Sequence, residues 1–224
     1  MDNQNNSKLQ LNRGVIIKSA IIFIAAYALS LAIWLISPIE DYYGLVITNI
    51  ASYFIAILKG LDITEIVQNK DIISVGFIPD KQGLTQIIKA TIDVPTGNYA
   101  FNVPLTLAIM AAFFPFIKNK WLYLEAIVIL VFVHFLFVFS LEGQKLTAVL
   151  SDRGFETASS FTIFFWEFLW GFVDNMVVRF EPFLIGAYLF LMRNRVHVKK
   201  VKPQITEKTI QRQVPKKKKP KRKR

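Results

Sequence analysis

Ionisable side chains within apolar runs are where this chain could carry chemistry, because a charge in hydrocarbon is costly and is kept for a reason. Glu125 and His134 share one such run and suggest a proton relay. Their spacing argues against a pair: nine helical residues separate them by about 13.5 Å along the axis and about 180° around it. Glu125 lies one turn from Trp121, within reach of Lys118 or Lys120, and reads as an interfacial anchor. His134 lies deeper and must find a hydrogen-bond partner, so a structural bond between helices is the plainer expectation and proton transfer the sharper one. A second group, Glu167, Asp174, Arg179 and Glu181, gathers towards the start of the last apolar run. Glu167 and Asp174 are seven apart and share a helical face, as two carboxylates of a hydrolytic or metal site would. No histidine or third ligand accompanies them at metal spacing. Arg179 and Glu181, two apart, do not face each other, and interfacial solvation with local ion pairing is the expected state of the group.

Other chemistries fall away by composition. The chain has no cysteine, which removes disulfides, thiolate metal sites and cysteine nucleophiles, and only two histidines, His134 and His197. Glycine-rich phosphate loops, serine elbows and His-Glu-x-x-His are absent. Neither catalysis, nor a cofactor, nor a metal is expected.

The elements that position these residues are apolar helices. Hydrophobic residues make up 53% of the 224, Phe alone numbers 20, and they fall in long blocks. The fold class is therefore an all-α multi-pass membrane protein. Four transmembrane helices are expected at 15–36, 101–117, 121–141 and 176–192, the first an uncleaved anchor because no small-x-small site follows it. Two further segments, 42–59 and 159–173, read as interfacial amphipathic helices; in the first, Thr48, Ser52 and Lys59 form a polar stripe directed at water. Between them, 72–94 carries β-branched alternation around Pro79–Gly83 and predicts a small extracytoplasmic β-hairpin.

Charge sets the orientation. From Arg193 to Arg224 there are fifteen Lys or Arg and one acid, Glu207, so the tail carries +14 and the remainder about −3. The N-terminal 1–14, the turn at 118–120 and the tail 193–224 are rich in bases, whereas 37–100 and 142–175 hold more acids than bases. The positive-inside rule then makes both termini cytoplasmic, in a cell inner membrane. The tail, with Lys216, Lys217, Lys218, Lys219, Lys221, Arg222, Lys223 and Arg224, has no apolar periodicity and reads as disordered, suited to anionic lipid. A ribosome would feel the same field, but no folded reader for DNA is present.

The stretch Tyr99-Ala-Phe-Asn-Val-Pro-Leu-Thr-Leu-Ala108, entering a span from a β-like loop, resembles the bacterial exosortase H-associated membrane proteins. The order of one anchor, an amphipathic helix, a β-like piece and the remaining spans is also similar, over about 15–192. The resemblance implies a companion to a sorting protease; the exosortases' own catalytic Cys has no counterpart here, so no catalytic residue carries over. The expected function is a non-catalytic accessory subunit that presents its extracytoplasmic loop to an envelope partner. The alternatives are a small transporter or proton-conducting subunit using His134 or the outer carboxylates, and an insertion factor whose tail touches the ribosome.

Overall fold

The computed structural model describes residues 13–79, 89–117, 119–155 and 157–198, the last six by backbone alone. The turn after Pro79, Lys118, and the basic tail from 199 onward, Lys216–Arg224 included, lie outside these residues. Element order is α1 (Arg13–Ile36), α2 (Ile39–Lys59), β1 (Leu61–Asn69), β2 (Ile72–Pro79), β3 (Ala90–Pro95), α3 (Gly97–Ala100), α4 (Asn102–Phe113), α5 (Trp121–Asp152), α6 (Ser160–Phe172), a π-helical turn (Val173–Val178) and α7 (Arg179–Val198). Four helical stretches are long and apolar enough to cross a membrane: Arg13–Ile36, Ile39–Lys59, Trp121–Asp152 and the unbroken run Ser160–Met192. The protein is thus mainly helical, with one small antiparallel sheet.

This set differs from the expected spans in instructive ways. Residues 101–117 form only the twelve-residue α4, about 18 Å long at 1.5 Å per residue, followed by a turn before Ile117. Pro104 falls in its first turn, where a missing N–H is harmless, and Pro115 falls just after it, where a helix cannot continue unbent. At its other extreme, α5 has 32 residues and is about 48 Å long, about a third longer than an upright helix needs to cross about 30 Å of hydrocarbon and reach the headgroups. The segment expected as a separate interfacial helix, 159–173, is α6, which continues without a break through the π-helical turn into α7.

The polar stripe of α2 is real but points the other way. Thr48 and Ser52 are fully buried against the protein, and the opposite face exposes Tyr42, Val46, Ile50, Tyr53, Phe54 and Ile57. The helix stops at Gly60, whose left-handed φ of 61° lets its N–H cap the last turn.

The expected hairpin is a three-stranded antiparallel sheet in the order β1-β2-β3. The unforeseen strand is β1, paired with β2 from Asn69↔Ile72 to Leu61↔Pro79, with a bulge between Ile63 and Glu65. One sheet face, with Ile73, Val75, Phe77, Ala90 and Ile92, packs on Ile55 and Ala56 of α2, Leu146 and Leu150 of α5, and Trp166 of α6. A two-stranded hairpin would be marginal in water; the third strand and the helical floor supply what it lacks. Lys145 of α5 and Arg153, just past its end, donate to the carbonyls of Asp93 and Lys89, closing the β3 side onto α5.

The sheet is also moored to both ends of α2. Near its start, Gln68 Nε2 donates to Asp41 at 2.9 Å, and Gly44 passes so close to Thr96 Cγ2 that a Cβ would stand 2.8 Å from it. Near its end, Ile55 and Ala56 lie under the sheet core. The strands therefore run along α2 from end to end.

Candidate functional site

Four helices and a phenol meet around His134. Its Nδ1 is 2.6 Å from the Tyr43 hydroxyl on α2, and its Nε2 is 2.6 Å from Glu181 Oε2 on α7. The other carboxylate oxygen of Glu181 accepts from Thr106 Oγ1 of α4 at 3.1 Å. The Tyr99 ring, from α3, covers the imidazole at a centroid distance of 5.1 Å. His134 and Thr106 have no exposed surface and Glu181 has 1%. With Glu181 ionised and His134 neutral, Nε2–H donates to the carboxylate and the Tyr43 hydroxyl donates to Nδ1, so every polar atom of the trio has a partner. Burial pushes the Tyr99 phenol up to about 12, which keeps it neutral and a donor at physiological pH.

Glu181 reaches this place because the helix carrying it is irregular. Pro182 follows it and has no N–H to offer Val178, four residues back. Six residues of π-helix, Val173–Val178, come just before, widening the turn as insertions at functional positions often do. The orphaned Val178 carbonyl is taken by the side chain of Asn102, whose Nδ2 donates at 2.7 Å from the start of α4. Asn102→Leu is expected to cost about 1–3 kcal/mol by leaving that carbonyl unmatched. Thermal unfolding in detergent checks this, with Asn102→Asp expected to do no better, since a carboxylate cannot donate.

A second buried carboxylate lies one helical stretch further along. Ser52 Oγ donates to Glu142 Oε1 at 2.6 Å, and Glu142 is completely buried. Tyr43 and Ser52 follow one another along α2 as His134 and Glu142 do along α5, so two polar ties fasten the same helix pair. In the other direction, Glu125 accepts from the Tyr188 hydroxyl of α7. Along α5 from Glu125 to His134 the inward residues are Ala126, Leu130 and Val133, with Ile185 on α7 between Glu181 and Tyr188, all buried and apolar.

The residues singled out from sequence separate into three places. His134 is at the centre, joined across helices. Glu125 lies on another side of α5, as its spacing required, and among the described residues it accepts from Tyr188, while Lys118, one of the two lysines expected of it, lies outside them. Glu167 is exposed on α6, and Asp174 and Arg179 form only a loose pair at 3.9 Å, with Arg179 largely in the open. The expectation that Glu181 shares their solvated environment is overturned: its carboxylate turns inward to His134. Among the described residues, no group of three His, Cys, Asp or Glu is close enough to hold a metal ion.

Helices of this length and hydropathy point to a membrane protein whose interior holds a histidine–carboxylate pair. Comparison with known proteins adds no relative: no family model, no curated protein and no solved structure matches the chain.

Proposed function

We propose that this is a non-catalytic integral membrane accessory subunit that holds its three-stranded sheet outside an inner membrane for a partner protein. The observation that carries the reading is the closure of the His134 network. Its atoms are satisfied by Tyr43, Glu181 and Thr106, it is buried, and buried Leu130, Val133 and Ile185 occupy the helix turns between it and the other polar pair. An arrangement like that fastens helices; it offers a substrate no way in.

In this reading the crossings are α1, α4 with the turn that follows it, α5 and α7, while α2 runs beside the outer part of α5, from Tyr43 at His134 to Ser52 at Glu142, and carries the sheet along it. A sheet that bears Asp62, Glu65, Lys70, Asp71 and Asp93 and is moored to both ends of α2 could not follow that helix through hydrocarbon. The basic residues at the N-terminus, at Lys118 and Lys120 and in the tail favour cytoplasmic termini by the positive-inside rule, and the tail's charge suits anionic lipid. The absence of cysteine makes a clean test possible. Lys70→Cys in the β1–β2 turn is expected to react with a membrane-impermeant maleimide in intact spheroplasts, and Lys120→Cys only after permeabilisation. If α2 crosses, protection of Lys70→Cys is the outcome.

The second reading is a proton-conducting subunit, favoured by one observation: carboxylate, imidazole and phenol lie in an unbroken hydrogen-bonded chain. Proteoliposomes separate the two. The accessory reading expects no proton flux above that of empty vesicles, and flux lost in His134→Ala would favour conduction. Association with a protein-sorting or surface-export system rests on the resemblance of Tyr99–Ala108 to the exosortase H-associated proteins.

A further inference from the structure

The two outer sides of the sheet are finished differently. Along β3, Lys145 and Arg153 reach its backbone carbonyls from α5 and the turn after it. Along β1 the described residues supply nothing comparable. Asn69↔Ile72 closes a two-residue turn and is a pair that exchanges both of its hydrogen bonds; Val67↔Ser74 and Glu65↔Gly76 repeat it. Ile66 and Gln68, which alternate with these, direct their N–H and C=O groups away from β2, and no other backbone group among the described residues reaches them. Free edges are normally blunted by charge, by proline or by a bulge. Here the bulge stands to one side, between Ile63 and Glu65, and Glu65–Asn69 keeps a regular register without a proline. The one charge in that stretch is engaged. Gly76 of β2 has no side chain, and Lys89 reaches over it to pair with Glu65, its Cε 2.7 Å from where a Cβ would stand. Val67, at the middle, has half of its surface exposed. Acids gather at the turn end of the edge: Asp41 accepts from Gln68, and Glu40 lies within electrostatic reach of Asp41 and of Asp71.

We infer that an extended segment of a partner protein adds a fourth strand along Glu65–Asn69 and brings a Lys or Arg to Glu40 and Asp41, a proposal that rests on the accessory role and adds how its partner is held. Main-chain bonds to Ile66 and Gln68, about four in all, hold the segment, and its side chains choose it. One apolar side chain lies beside Val67, on the face turned away from the helices, and the base answers the acids at the turn. A second copy of this chain fits the edge less well. Two β1 strands paired antiparallel about Val67 would carry Asp62 of each copy to the acidic turn end of the other, setting like charges together. A strand bearing a base at that end has the complementary sign.

The test is photo-crosslinking of the full-length protein in native membranes from a photoreactive residue at Val67, repeated in variants of its neighbours. Gln68→Pro removes an N–H that β2 does not use, so the existing ladder is kept while the incoming strand loses a donor and meets the ring. The adduct is expected to fall about tenfold or more, with the melting temperature preserved; Gln68→Ala, which keeps the N–H, is expected to lower it less than about twofold. Glu40→Gln with Asp41→Asn is expected to lower the yield about fivefold at low salt and to remove its dependence on salt. Hydrogen exchange needs no variant. In the complex recovered from native membranes the Ile66 and Gln68 amides are expected to exchange about tenfold or more slowly than in the protein alone. Equal rates at these two amides would overturn the proposal. A Val67 adduct unaffected by Gln68→Pro would overturn it and leave the accessory role in place, whereas no adduct from Val67 at all would overturn both. An adduct of twice the chain's mass would assign the edge to a second copy and overturn it as well.

Discussion

His134→Ala is expected to destabilise the protein by about 3–5 kcal/mol, the usual cost of leaving a buried charge without its partner. Three losses act together. Glu181 Oε2 loses its donor, the Tyr43 hydroxyl loses its acceptor, and a void opens beneath the Tyr99 ring. For a chain of this size the melting temperature in detergent should fall by roughly 6–20 °C, at about 2–4 °C per kcal/mol. The more discriminating variant is the double substitution His134→Phe with Glu181→Leu. It removes donor and acceptor together and refills the space, and buried pairs replaced in that way are often neutral or better. Recovery of more than half of the loss is expected if the network is a fastening. A double variant no more stable than His134→Ala would mean that the pair contributes something an apolar filling cannot supply.

Gly143→Val should have the second largest effect. Gly143 sits mid-way along the outer part of α5, and a Cβ there would overlap the six-membered ring of Trp166 on α6. The ring cannot step aside, because it is buried between Phe139 and Phe165, each with its centroid about 5.5 Å away. Overpacking of this kind costs about 1–3 kcal/mol and sometimes more. Its consequence extends beyond the helix pair, since Trp166 also forms part of the floor under Phe77 and Leu150. The sheet of Gly143→Val is therefore expected to become sensitive to protease under conditions that spare the unaltered protein. Adding Trp166→Leu should restore part of the loss, giving a cost well below the sum of the two single changes, as touching residues do. Strict additivity would mean that the two residues are not in contact.

Much of the helical frame was legible in the sequence. Long apolar runs announced α1, α5 and the first part of α7, and the nine-residue spacing correctly kept Glu125 and His134 apart. The missed features share a cause: each depends on a local departure from regular periodicity. β1 was hidden because the bulge at Thr64 puts Ile66 out of phase with Leu61 and Ile63, erasing the alternation that marks a strand. The environment of Glu181 was hidden by the π-helical turn, because a face projected at 3.6 residues per turn from Glu167 and Asp174 does not continue through it. One signal was available, an acid directly before a proline inside an apolar run, with a lone buried-type histidine in another. The direction of α2's polar stripe was not available, since periodicity says that two faces differ and not which of them meets water.

In the proposed role the sheet is the working surface and the buried network its support. The β3 side is closed by Lys145 and Arg153, whereas β1 leaves much of its length exposed, including Val67 at 51%. The most direct measurement is site-specific photo-crosslinking in native membranes from Val67 on β1, with a control at Phe183 on α7. The account predicts one discrete protein adduct from Val67 and none from Phe183, with the Val67 adduct preserved in the stable His134→Phe, Glu181→Leu variant. Absence of any adduct from β1, with the protein recovered as a lone monomer, would contradict it.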